Sequence, residues 1–396
     1  MADGHAPAPV AQDAATGGAQ PVLKAATVGM SLGATSGMRD HARLLTAELA
    51  AQGTSCSLHW LDRDPTGGLR GAHAEARGWA GALRRQLQDE RPDAVVLHYA
   101  SFAYAHRGVP LLLGPALSAA RSSGAPVIAF VHELAYPWGR GARGDFWAAS
   151  QRAALLPLVR ASAAVVVTTD QRVEWLRSRR WLPRRPLEMA PVFSNLPPPS
   201  PGVTPEPLLV GLFGYAYEGA AVALVLDALA ELRRSGQPVV LELLGAPGPD
   251  TETGERWRGG AREREVADAL VFSGMLPAQE LSDEIARCAV LICAASPGPT
   301  SRKGTLAGSL ASGRPVVALD GPLSWRDLRE QDAVRVVAPE PVALAGELTR
   351  LLADTAGRDA LGARGQEFHE RRMAAARTAE LVGGLISSLS ARSSKP

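Results

Sequence analysis

The sequence predicts an α/β protein made of two doubly wound, Rossmann-like domains that face each other across a cleft. Three observations carry this. Short apolar runs rich in Val, Leu and Ala alternate with longer helical stretches, and the alternation occurs twice. A chain of 396 residues is long enough for two domains, each with its own core. Between the two arrays lies "NLPPPSPGVTPEP" (195–207), whose six prolines continue neither helix nor sheet and make a stiff extended connection.

The first array supplies strands at 25–32, 56–62, 94–100, 127–134 and 164–169. Most are continuously apolar, as expected of strands covered on both faces of a parallel sheet. The pattern at 38–53 between the first two is helical and stops at Gly53. The second array repeats the grammar at 208–215, 239–245, 289–295, 315–320 and 333–338. The expected organisation is a disordered tail (1–22), a first domain (23–196), the linker (197–207), a second domain (208–366) and a C-terminal amphipathic helix (367–390) interrupted at Gly383-Gly384. In sheets of this kind ligands bind outside the carboxyl ends of the strands, which places the expected site in the cleft.

Composition removes several function classes. The formal net charge is +2, which gives no global field toward nucleic acid. No apolar run reaches the roughly eighteen residues needed to span a bilayer. The three cysteines form neither a disulfide framework nor a metal cluster and read as buried thiols of a cytoplasmic protein. The first twenty residues lack the basic start and apolar segment of a secretion signal. Arginine is abundant because the chain is written in Ala, Arg, Gly and Pro, so an arginine excess by itself signals little.

Five stretches carry candidate chemistry. After the first strand, "GATSGMRDHA" offers Gly33, Ser36, Gly37, Arg39, Asp40 and His41 at a sheet edge and a helix start. It reads either as an acceptor-side loop or as a plain strand-to-helix turn. "FVHELAYPWGRG" ends a buried strand with His132 and Glu133, and an imidazole there can hydrogen-bond a sugar hydroxyl or a leaving oxygen. Trp138 follows in an aromatic, Gly-rich loop able to stack on a ring. The arginine-rich 166–186, with Trp175 and Trp181, reads as a solvated helix face, against an alternative patch for lipid headgroups or a charged acceptor. In the second array, Gly214 and Tyr215, Gly245, and Ser273 with Met275 stand at strand ends where backbone groups can meet a nucleotide base and ribose.

The fifth stretch is "GPTSRKGTLAGSLASGRPVVA" (298–318). Only three of the 42 basic residues are lysines, and Lys303 is the one inside the folded arrays apart from Lys24 at the start of the first strand. Ser301 or Thr300 is expected to cap a helix beginning at Gly304-Thr305. Ser301, Arg302, Lys303, Gly304 and Thr305 then combine a hydroxyl, two cations and free N–H groups into a diphosphate site.

"SGMRDHA", "VHE" at a strand end, "VVTT" before a basic helix, "PVFSNLP" entering the linker, and "LAGSLASGRPVVA" together resemble the GT-B retaining glycosyltransferases of the GT4 type, in order and spacing over about residues 23–390. The resemblance implies two Rossmann-like domains, a nucleotide-diphosphate sugar as donor, no cofactor, and no metal for donor binding. It also implies a C-terminal helix that crosses back to the first domain. His132 and Asp40 are then assigned catalytic work, with His132 orienting the sugar. The 33–41 loop, Glu133 and Trp138 line the acceptor side. The acceptor is a small molecule, a glycan or a lipid, with membrane-surface contact less favoured, and antibiotic or glycan biosynthesis is the expected setting. Two departures stand out. The family's pair of glutamates would fall at Thr300 and Gly308, and its usual Arg and Lys are absent from "FGYAYEG". Arg302 and Lys303 take over the diphosphate in this reading. The rival readings are a silent sugar-nucleotide-binding module, which the missing glutamates favour, and a sugar-nucleotide epimerase.

Overall fold

The computed structural model describes residues 22–33, 36–214, 217–245, 248 and 250–393. Six strands form the first sheet: β1 (Lys24–Leu32), β2 (Ser55–Arg63), β3 (Ala94–Ala100), β4 (Val127–Glu133), β5 (Ala164–Val167) and β6 (Leu187–Met189). The second sheet holds β7 (Glu206–Phe213), β8 (Val240–Leu244), β9 (Leu270–Gly274), β10 (Cys288–Cys293), β11 (Val316–Leu319) and β12 (Arg335–Val337). Both are parallel throughout, in the orders β2-β1-β3-β4-β5-β6 and β12-β11-β10-β7-β8-β9. Helices cover both faces of each sheet, which is why the central strands are buried over most of their length.

Each order reverses once. In the first sheet the chain leaves β1 for β2 on one side and later returns to β3 on the other; in the second it leaves β7 for β8 and returns to β10. The βα loops part at these reversals, opening a crevice at β1/β3 and another at β7/β10. Those two crevices hold the site described below.

The expected strands all form within two residues of their predicted bounds. The three-residue edge strand β6 was not anticipated, because Leu187–Met189 is too short to show a period. The expected helix at 367–390 is two helices. Residues 367–372 complete Thr355–Arg372, the break falls at Met373–Ala374, and Ala375–Ser393 runs through Gly383-Gly384 without interruption. Gly383 packs on the first domain, where an added Cβ would be 3.7 Å from Leu49, while Gly384 is exposed with nothing within 4 Å, and the helix passes through both without a hinge. The linker is pinned and not free: Ser282 Oγ donates to the Pro197 carbonyl, and the Asp283 carboxylate accepts from both N–H and hydroxyl of Ser200.

The last helix returns to the first domain, where Ala379, Val382, Ile386 and Leu389 join Leu45, Leu49, Val96, Ile128 and Phe130 in one core. Gln52 adds a hydrogen bond to the Ala376 carbonyl at 3.0 Å. Ile386 is fully buried there. Ile386→Ala therefore leaves a cavity in the first domain's core, and denaturant unfolding is expected to report a loss of about 2–5 kcal/mol. An unchanged midpoint would mean that the helix contributes nothing to that domain.

Candidate active site

The first domain's wall is built on three imidazoles. β4 delivers His132 at its carboxyl end, β3 delivers His98, and the helix Gly37–Ala51 delivers His41 from its first turn. His98 Nδ1 and His132 Nε2 are 2.9 Å apart and share a hydrogen bond. His41 stacks on Phe193 with ring centroids 4.0 Å apart, and His98 stacks on Phe130 at 5.2 Å. Burial pushes the His98 pKa down to about 3. It also holds His41 and His132 well below the usual imidazole range, with His98 further disfavouring charge on His41, and His41, His98 and Arg172 on His132. All three are neutral in the folded protein. His132 thus acts as a neutral hydrogen-bonding group and not as a charged acid. One nitrogen from each ring lies within 4.8 Å of the others, the only such group of His, Cys, Asp or Glu among the described residues with the spacing of metal ligands. Neutral imidazole is the form that binds a metal, although here the His98 and His132 nitrogens already satisfy each other.

A cavity of about 480 Å³ opens beside these rings, lined by Gly37, Met38, His41, His132, Glu133, Asn195, Arg302 and Lys303 among others. The predicted residues Gly37, His41, His132 and Glu133 meet there with the second domain's Arg302, Lys303 and Gly304. Four neighbours do not line it. Ser36 caps the helix by accepting from the Arg39 amide, Arg39 pairs with the Asp62 carboxylate, and Gly33 donates to the Arg63 carbonyl. Asp40 follows in the same helix turn and lines none of the described cavities. Trp138 is 55% exposed and lies under the Arg152 guanidinium at 4.6 Å.

The second domain's crevice, about 420 Å³, lies at the β7/β10 reversal and is lined by Gly214, Tyr217, Glu218, Cys293, Ser296, Arg302, Lys303, Gly304 and Thr305 among others. Gly214 has φ +123°, and a Cβ there would sit 3.3 Å from Thr305, so both conformation and space demand glycine. Gly245 and Ser273 tie strand ends together instead: the Gly245 amide donates to Ser273 Oγ at 2.9 Å. Met275 is exposed and lines none of the described cavities, and Tyr215 lies outside the described residues.

The helix Gly304–Ala311 begins as expected, but neither Thr300 nor Ser301 caps it. Lys303 occupies the N-cap position and no side chain closes the first turn. Ser301 is used across the domains: its hydroxyl donates to the Thr168 carbonyl at 2.7 Å, and its carbonyl accepts from the Val192 amide at 2.8 Å. Thr300 is buried with its hydroxyl unpartnered. Gly308, the other position where the resemblance expects a glutamate, is sealed. A Cβ there would meet Phe213 at 3.0 Å, Ser194 at 3.4 Å and Leu196 at 3.5 Å.

Arg302 joins three cavities. The third, about 470 Å³, is lined by Leu134, Ala135, Pro137, Arg152, Thr169, Gln171, Arg172, Trp175, Thr300 and Leu323 besides Arg302. Sequence reading missed His98, Arg152 and Glu218 and left Arg172 on a solvated face. Arg172 instead turns inward, donating to the His132 carbonyl and the Thr168 hydroxyl. The strand-internal "LHY" around His98 was the available signal, a polar residue inside an apolar run.

Two tests follow. His98 is neutral when folded and titrates ordinarily when unfolded, so unfolding takes up a proton. Its share of stability is complete above about pH 6.5 and is lost as pH falls toward about 3. His98→Phe is expected to flatten the pH dependence of unfolding in that window, whereas an identical slope in both proteins would refute the buried neutral state. Gly308→Glu is expected to destabilise the second domain by more than about 2 kcal/mol in thermal unfolding, since the carboxylate enters a packed, apolar contact. A stable variant with raised activity would show the position to be open.

Residues 205–354 match the family model described as Glycosyl transferases group 1. No curated protein matches the chain by sequence. Among solved structures, the chain resembles sucrose-phosphate synthase from Thermosynechococcus elongatus at 17% identity and a TM-score of 0.67, covering 93% of this chain and all of that one. HepE from Anabaena gives 14% and 0.64 over 92% of this chain and all of its own, and WaaG gives 14% and 0.58 over 91% and all of its own. At such identities the likeness concerns the fold, and its coverage is large enough to extend over both domains. The chain has the GT-B fold and carries a glycosyl transferases group 1 domain in its second half.

Proposed function

We propose that the protein transfers a sugar from a UDP- or GDP-linked donor to an acceptor hydroxyl with retention at the anomeric carbon, in natural-product or glycan biosynthesis. One observation carries the reading. The uncapped first turn at Gly304-Thr305, with Arg302 and Lys303 beside it, lies at the β7/β10 crevice and faces His132 across the cleft. Relatives of the same fold support it, since HepE has been solved with UDP, with UDP-glucose, and with UDP and glucose.

The chemistry follows from charge. As the glycosidic bond breaks, the departing diphosphate gains negative charge. Lys303, Arg302 and the amides of the first turn are fixed in advance and meet that charge more strongly in the transition state than in the ground state. In this reading the donor is held without a metal. The acceptor hydroxyl enters from the His132 side, and its proton passes to the departing phosphate oxygen, so retention needs no pair of carboxylates. The neutral His132 ring orients a sugar hydroxyl, its backbone fixed by Arg172.

A second reading, a module that binds the sugar nucleotide without turnover, is favoured by the sealing of Gly308. Release of nucleoside diphosphate from UDP- or GDP-glucose separates the two, because a silent module releases none. For the donor site itself, Lys303→Ala is expected to weaken UDP or GDP binding in calorimetry by about 1.5–3 kcal/mol, the range of a charge-assisted contact. Equal affinities for both proteins would remove Lys303 from the donor site.

A further inference from the structure

The cavity beyond Arg302 has walls of opposite character. Leu134, Ala135, Pro137, Trp175 and Leu323 give it an apolar side, while Arg152, Arg172 and Arg302 give it a cationic one, and no carboxylate lines it. Among the described residues fifteen arginines form ion pairs, and Arg152, Arg172, Arg179 and Arg302 are among those that form none. Two of the guanidiniums are fixed from behind by neutral oxygens. Arg152 donates to the Tyr136 and Ala148 carbonyls, and Arg172 to the His132 carbonyl and the Thr168 hydroxyl.

Gathering like charges beside a partly dry wall is unfavourable unless an anion joins them. The cost is visible in the side chains. Burial and the nearness of Arg302 push the Arg172 pKa down to about 10, and burial with Arg179 lowers that of Arg152. A second observation points to the same volume. Thr300, only 3% exposed, lines this cavity, and its buried hydroxyl finds no partner among the described residues. A buried hydroxyl left unpaired is uncommon, and a phosphate oxygen would satisfy it.

We propose that this cavity is the seat of the acceptor, and that the acceptor carries a phosphate group held by Arg152, Arg172, Arg302 and the Thr300 hydroxyl, with its apolar or planar portion against Trp175 and Leu323. The inference deepens the proposed sugar transfer and rests on it for the word acceptor. The phosphate seat itself stands on the cavity alone. Arg302, shared with the donor crevice and with the histidine-lined cavity, links the two anions and places the acceptor next to the leaving diphosphate.

The test uses the full chain, with and without saturating UDP, and phenyl phosphate as probe with phenol as its uncharged control. Calorimetry is expected to show phenyl phosphate binding in the presence of UDP, when the donor's own phosphate site is filled, and no phenol binding. Arg152→Ala is expected to weaken phenyl phosphate about tenfold or more while leaving UDP affinity unchanged. Arg152→Gln and Thr300→Val, which keep the local volume, are expected to lose affinity in the same order should Arg152→Ala fold poorly. A parallel flotation assay compares phosphatidylcholine vesicles with and without phosphatidic acid. Arg152-dependent binding to the acidic vesicles alone would support the same seat with a lipid as the source of the phosphate. Equal binding of phenol and phenyl phosphate, no binding of either phosphate probe, or indifference to Arg152 and Thr300 would overturn the proposal. If UDP fails to bind while phenyl phosphate binds through Arg152, the donor reading fails and the phosphate seat survives.

Discussion

The site depends on one seam between the domains, centred on Ser301. Its hydroxyl and its carbonyl bind backbone groups of the first domain at Thr168 and Val192. Trp325 reinforces the seam by donating to Asp170 at 2.9 Å. Both Ser301 bonds are buried and involve backbone partners, so they fix position more firmly than exposed side-chain pairs would. The two residues after Ser301 are Arg302 and Lys303. Pinning Ser301 therefore places both cations opposite His132, with the uncapped helix start behind them. The linker and the returning helix Ala375–Ser393 hold the same closed arrangement from outside.

The cleft's electrostatics follow from what is buried with what. Three imidazoles packed among Phe130, Phe193 and one another lose their charge, so the first domain's wall offers neutral hydrogen-bonding groups. The cations all come from the Arg302–Lys303 corner, shared with Glu133 and Glu218, and from Arg152 and Arg172 at its edge, in a cavity whose lining holds no carboxylate. A neutral floor under a positive rim suits ligands whose sugar hydroxyls lie deep and whose anionic groups lie at the rim.

Much of the fold was legible because parallel strands buried on both faces read as unbroken apolar runs, and the prolines at 197–207 marked the boundary. Three-residue β6 carried too little pattern to be seen, and the break at Met373–Ala374 had no glycine or proline to announce it. Of the site, His132, His41, Arg302 and Lys303 were visible as strand ends and helix starts. Other residues of the same motifs were absorbed by local structure. Ser36 caps, Arg39 pairs with Asp62, Ser273 ties two strands, and Ser301 bridges the domains. Sequence distinguishes a hydroxyl near a helix start but not whether it points along the chain or across to another domain. Arg152 and Arg172 were illegible for a related reason: in an arginine-rich chain nothing in the sequence marks the few guanidiniums that folding turns into a cavity.

The missing glutamates acquire a physical meaning in this arrangement. Thr300 leaves a buried, unpartnered hydroxyl, and Gly308 lets Phe213, Ser194 and Leu196 close over the helix, so neither position offers a carboxylate and the proposed donor contacts lie at the helix start. The most direct measurement is a crystal structure of the protein with UDP. The account predicts the diphosphate against the Lys303 ammonium and the Gly304 and Thr305 amides, at the β7/β10 crevice and facing His132. A diphosphate held elsewhere in the cleft, with Lys303 and that first turn left free, would contradict it.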